Sequence, residues 1–200
     1  MLMTGGFLIA GILFNMYYQY SYEKDYLSEF SNQGEALDKL ETGTDLAVLK
    51  TGDESVYRYD QMGTHSYENS SMQTGTNGTS YYFSVASGDI TSFFNEVDLN
   101  TPWDYHYENL DSRTILDRLA AVKYFVVKAG EEEYLPYGYD TLAAEVEKHD
   151  KLYRAYECKN ALPIGYTYDS YIPEEKYAKM STVEKQQALL QGVILSNSTV

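Results

Sequence analysis

The sequence predicts a mixed α+β or α/β domain: a small, mixed, partly antiparallel sheet with flanking helices, preceded by an apolar N-terminal helix. Three observations lead there. Ile115, Leu116, Leu119 and Val122 recur at helical spacing and run into Lys123-Tyr124-Phe125-Val126-Val127, a stretch dense in β-branched and aromatic residues. Residues 144–157 alternate apolar and polar on both sides of His149-Asp150, as a hairpin does. Ser181-Thr182-Val183-Glu184 has the spacing of a capping box and opens a helix through Leu189, Leu190, Val193 and Ile194. A partly antiparallel sheet with helices before and after it makes an α+β or mixed α/β domain.

From the N-terminus, residues 1–22 hold no charged side chain, and Leu8, Ile9, Ile12, Leu13 and Phe14 make the run strongly apolar. At about 1.5 Å per residue this nearly spans a hydrocarbon core of about 30 Å. Tyr17, Tyr18, Tyr20 and Tyr22 crowd its end, where amphipathic rings suit a membrane interface. The expectation is a transmembrane helix over 1–22 in contact with lipid. A cleaved signal peptide and a buried core helix are the rival readings, although no basic residue precedes Lys24 and no A-x-A site follows. Residues 23–110 hold 4 basic and 16 acidic side chains, which by positive-inside logic places the globular part outside the cell. The expected localisation is therefore the cell membrane, single-pass in the chain as given and a fragment of a multi-pass protein, with the globular domain extracytoplasmic.

Residues 23–54 read as a helical connector of two short helices, with Leu37, Leu40, Leu46 and Leu49 interrupted by Gly34 and Gly43. Residues 55–195 form the domain. Val56 to Tyr59 is a short strand, and residues 60–80, rich in Ser, Thr, Asn and Gly, form a long loop of the kind that carries function. Ser87-Gly88-Asp89 caps a helix through Ile90, Phe93, Phe94 and Val97, and Asp111 or Ser112 caps the next. Lys123 to Val127 is apolar on both faces, Tyr124 and Val126 on one and Phe125 and Val127 on the other, which predicts a central strand. Lys159-Asn160 turns into a strand over Ile164 to Tyr168, and Pro173 stands at a first helical position.

Charge and composition narrow the function. A net charge of −15 repels phosphate backbones and excludes nucleic acid as a partner. The lone cysteine, Cys158, forms no internal disulfide and no thiolate metal cage. His65, His106 and His149 are scattered and read as surface histidines, and Glu131-Glu132-Glu133 lacks the alternating ligands of a calcium loop and reads as a solvated turn, so neither a metal nor a cofactor is expected. The 22 tyrosines suit wet, half-buried sheets and carbohydrate-facing surfaces alike. Trp103-Asp104-Tyr105-His106-Tyr107 puts the single tryptophan beside two tyrosines and a carboxylate, a composition that stacks on a sugar ring and bonds its hydroxyls. An ordinary half-buried strand or loop fits the same residues.

Several stretches, taken in order, resemble the extracytoplasmic part of YfhO-type bacterial membrane proteins. They are Val56-Tyr57-Arg58, Asn69-Ser70 with Gly75 to Tyr81 and Ser84, Asp111-Ser112-Arg113 with Leu119 to Val126, Tyr156 to Pro163, and Ser181 to Leu190. The resemblance implies a polyprenyl-phosphate-sugar-dependent glycosyltransferase of the cell envelope, acting on teichoic-acid-type polymers. Nothing in the chain corresponds to the early loop that carries that family's expected catalytic carboxylates, so no catalytic residue is carried over. The chain then reads as the non-catalytic portion, and a membrane-anchored glycan-binding or scaffolding module is the alternative. Candidate contacts to a glycan or polymer acceptor are Arg58, Tyr81, Trp103, Tyr105 and Arg113. Arginine clamps phosphate bidentately, while Asp60 and Asp111 offer ion pairs as the structural reading of Arg58 and Arg113.

Overall fold

The computed structural model describes residues 2–20, 33–62, 68–99 and 105–196, and the chain divides into two compact units, residues 1–40 and 41–200. The first unit contains helix α1 (Leu2–Tyr20) and the short α2 (Ala36–Leu40). Phe7, Leu8, Ile12 and Leu13 of α1 are all exposed, and Phe14 stacks on Tyr18 one turn along. Among the described residues no helix is long and apolar enough to cross a membrane, which corrects the expectation of a transmembrane, single-pass segment. The length of α1 is close to sufficient, but Gly5, Gly6, Gly11, Thr4, Asn15 and the polar-tipped tyrosines at its end dilute its apolar character.

The second unit is built on a four-stranded sheet in the order β1-β4-β6-β5, with β1 Arg58–Gln61, β4 Val122–Lys128, β5 Thr141–Lys148 and β6 Lys151–Glu157. Strands β1 and β4 run parallel, and β4–β6 and β6–β5 are antiparallel, so the sheet is mixed as expected. His149 and Asp150 both adopt positive φ, 49° and 59°, the pair of left-handed residues that a tight hairpin turn with the strands' own twist requires. β4 is central, and its side chains part to two cores by simple alternation. Tyr124 and Val126 join Tyr59 and Ala155 under Ala47 and Val48 of α3 (Gly43–Leu49). Phe125 and Val127 join Leu116 of α6 (Thr114–Leu119), Phe94 of α5 (Gly88–Glu96) and Val97, the residue that caps the end of α5. Helix α3 lies within the stretch read as a connector and is an integral layer of the domain. Its Gly43 permits the approach, because a Cβ there would stand 2.2 Å from the Tyr153 ring.

Ser87 caps α5 by accepting from the Asp89 N–H, and Ser181 and Glu184 form the full capping box of α8 (Thr182–Leu189). Other local expectations differ. Neither Asp111 nor Ser112 caps α6; both take positive φ (55° and 53°) in the turn before it, and Arg113 occupies the cap position without a side-chain bond. Ile164 to Tyr168 is irregular rather than a strand. Pro173 ends β7 (Tyr171–Pro173) and caps α7 (Glu174–Tyr177), one residue ahead of the expected position. Val193–Leu195 leaves the helical pattern to form β8, parallel to β7. Part of the polar 60–80 loop folds as α4 (Ser70–Thr74), between Asn69 and Gly75, both left-handed.

Candidate functional site

The residues that follow the long polar loop and the aromatic stretch singled out for glycan contact are brought together by the shortest of the described strands. Strand β2 (Tyr81–Tyr82) pairs antiparallel with β3 (His106–Tyr107), setting Tyr81 opposite Tyr107 and Tyr82 opposite His106. Alternation then sorts the four rings into an inner and an outer pair. Inside, Tyr81 stacks on Tyr107 at 4.8 Å, Tyr107 meets Phe94 edge-on at 5.1 Å, and its hydroxyl lies 2.8 Å from that of Thr91. Burial, with the nearby Tyr107, raises the Tyr81 phenol above its ordinary value, while the Arg58 charge works against it.

Outside, Tyr82 and His106 lie with ring centroids 4.6 Å apart, and Glu68 Oε1 stands 2.5 Å from His106 Nδ1. The carboxylate accepts there, which leaves Nε2 of the imidazole directed away from it. Asn69 holds the strand by both ends of its amide: Nδ2 donates to the Tyr82 carbonyl at 2.9 Å, and Oδ1 accepts from the Tyr82 N–H at 3.1 Å. Its left-handed backbone (φ 64°), a conformation asparagine tolerates better than most residues, turns the amide toward β2. The Phe83 N–H donates to the Tyr105 carbonyl at 3.1 Å and extends the pairing by one step. Tyr82, Phe83 and Tyr105 are 41%, 59% and 50% exposed, enough for their rings to meet a ligand. The result is an aromatic ledge edged by a carboxylate and an imidazole, able to stack on an apolar face and exchange hydrogen bonds beside it.

Of the residues proposed from sequence, Tyr81 and Tyr105 belong to this ledge, Tyr81 as its inner support and Tyr105 on its surface. Trp103 lies outside the described residues. The two arginines hold backbone. Arg58 Nη1 donates to the Ala120 carbonyl at the end of α6, 2.8 Å away, rather than to Asp60. Arg113 donates to the carbonyls of Val97 and Asp98 at the end of α5, at 2.6 and 2.7 Å, and pairs with Asp111 at 2.8 Å. Cations suit such helix C-termini. Glu68, Asn69, Tyr82 and His106 were missed as a set, since Glu68 and His106 stand 38 residues apart and no local spacing joins them. Among the described residues no group of three or more His, Cys, Asp or Glu converges to hold a metal ion. Glu132, in the acidic run, pairs instead with Arg154 at 2.6 Å and accepts from the Gly130 N–H.

Across residues 2–200 the chain matches the family described as bacterial membrane protein YfhO. It is also 28% identical over 209 residues to the uncharacterized protein YfhO of Bacillus subtilis strain 168, an alignment covering 96% of this chain and 23% of that protein. The chain thus spans about a quarter of the length of its curated relative. No solved structure matches it.

Proposed function

The chain belongs to the YfhO family of bacterial membrane proteins, and from that premise we propose that it is the extracytoplasmic, acceptor-holding portion of a membrane glycosyltransferase of the cell envelope. The observation that carries this reading is the ledge: exposed Tyr82, Phe83 and Tyr105 beside the Glu68–His106 couple. Ring faces take the apolar side of a pyranose, and the carboxylate and imidazole bond its hydroxyls. The acidic character of residues 23–110, 4 basic against 16 acidic, favours uncharged or amine-bearing sugar units over the phosphates of a polymer. In this reading the chemical step, transfer from a polyprenyl-phosphate sugar to a teichoic-acid-type polymer, belongs to parts of the longer protein beyond this chain.

The test is made in the full-length protein. Tyr82→Ala and Trp103→Ala should each lower polymer glycosylation while protein abundance stays the same. Glycosylation at the unmodified level in both variants would remove the ledge from the account.

A further inference from the structure

A deeply buried polar cluster of the domain lies at the roots of the ledge. Asp60 is fully buried on β1, and three groups donate to it: the Gln61 N–H at 2.7 Å and the Thr79 hydroxyl at 2.7 Å to Oδ1, and the Leu110 N–H at 3.0 Å to Oδ2. Thr79 lies just before β2 and Leu110 just after β3. One carboxylate therefore fastens both chain ends of the ledge to the central sheet. The neighbouring bond from the Asn109 N–H to the Ser80 hydroxyl, at 3.4 Å, draws the same two segments together. An oxygen pair receiving three donors is the ionised form of a carboxyl group.

Asp117 on α6 is also fully buried and is a neighbour of Asp60. Among the described residues neither of its oxygens receives a hydrogen bond. A bare carboxylate in that position is costly, whereas a carboxylic acid has an O–H to give and Asp60 has lone-pair capacity left to accept it. Asp117 is faced by Asp60 from β1, Cys158 from the turn after β6 and Tyr139 from the loop ahead of β5, with Arg118 beside it on α6. The Arg118 guanidinium is turned toward Gly138, its Nη2 2.9 Å from where a Cβ would stand. Burial, reinforced by the Asp60 charge, pushes Asp117 up to about 10. Burial also raises Asp60, opposed by the bonds from Thr79, Leu110, Gln61 and Asp117.

We propose that Asp60 and Asp117 share a single proton, carried by Asp117, and that this acid pair is the positioning element of the aromatic ledge, which a second negative charge would release. Its functional meaning rests on reading the ledge as a binding face; its geometry does not.

The full chain, with carbon-13 at the aspartate carboxyls, is titrated by NMR from about pH 4 to about pH 11. One carboxyl, identified by its absence in Asp117→Asn, should remain protonated at neutral pH and titrate far above the others. Contacts between the His106 and Tyr82 rings, and slow exchange of the Leu110 amide after correction for intrinsic rate, should persist through neutrality and be lost at that alkaline step. Asp117→Asn, which puts an uncharged amide donor in the place of the acid, should keep both through it. Asp60→Asn should speed Leu110 exchange by about tenfold or more while the amides of β4 and β6 stay protected. If Asp60→Asn fails to fold, Thr79→Val is read in its place and should loosen residues 79–82 alone. An Asp117 carboxyl that titrates with the rest overturns the proposal. So does a ledge unchanged in Asp60→Asn, or in Thr79→Val where that variant stands in. No saccharide enters these measurements, so their failure is distinct from failure of the binding proposal.

Discussion

Val126 sits at the centre of the architecture, and its truncation gives a number that can be checked. It is fully buried on the central strand, with Gln61 of β1 on one side, Ala155 of β6 on the other, and Ala47 and Val48 of α3 in the same core. Valine to alanine removes two methyl-sized groups, about 1.6 kcal/mol at ~0.8 kcal/mol each. Volume that does not collapse adds about 24 cal/mol per Å³, which takes the expected loss for Val126→Ala to between about 1.6 and about 3 kcal/mol. Equilibrium urea denaturation of the chain, followed by circular dichroism, measures it. Val85→Ala, at a residue 78% exposed, is the control and should stay within about 0.5 kcal/mol of the parent. A Val126→Ala loss no larger than that of Val85→Ala would refute the placement of β4 between two packed layers.

Gly43→Ala should destabilise the domain by about 1–3 kcal/mol in the same assay, because the new methyl would meet the Tyr153 ring and lift α3 from the sheet. Asp53 sets part of the acid sensitivity. Its burial works against ionisation, but the Lys123 ammonium and the bonds from Ser55 and Tyr124 outweigh it and hold the carboxyl well below the ordinary range. The stability it contributes is therefore present above the ordinary carboxylate value of about 3.9 and is lost as pH falls from there toward the folded value. Asp53→Asn should flatten the acid limb of a stability-against-pH curve below about pH 4, and an unchanged limb would contradict the pairing.

The features legible in the sequence are those whose cause is local. Alternation exposed both faces of β4, the positive-φ tolerance of a two-residue polar turn marked the β5–β6 hairpin, and the Ser181–Glu184 spacing fixed the start of α8. The ledge was legible only as two separate aromatic-rich stretches. Its strands are two residues long, too short for a period, and their pairing is settled by Asn69 and Asp60, whose partners lie far along the chain. The same holds for Asp60 and Asp117, which meet because α6 crosses over the sheet between the parallel strands β1 and β4. Asp111 and Ser112 read as caps from their chemistry alone, but the turn that aims α6 puts both in the left-handed region and gives Asp111 to Arg113. For α1, charge-free length was read as a membrane span, whereas its glycines, Asn15 and terminal tyrosines decide its hydropathy.

The central claim, that the β2–β3 ledge takes a sugar unit, is tested most directly by titrating the isotope-labelled chain with neutral and amine-bearing saccharides and following the Tyr82, Phe83, Tyr105 and His106 ring signals by NMR. The account predicts saturable shifts confined to those rings and Glu68, abolished in Tyr82→Ala and leaving the buried Tyr124 and Phe125 signals in place. Shifts that are absent, that are spread evenly over the surface, or that survive Tyr82→Ala would contradict it.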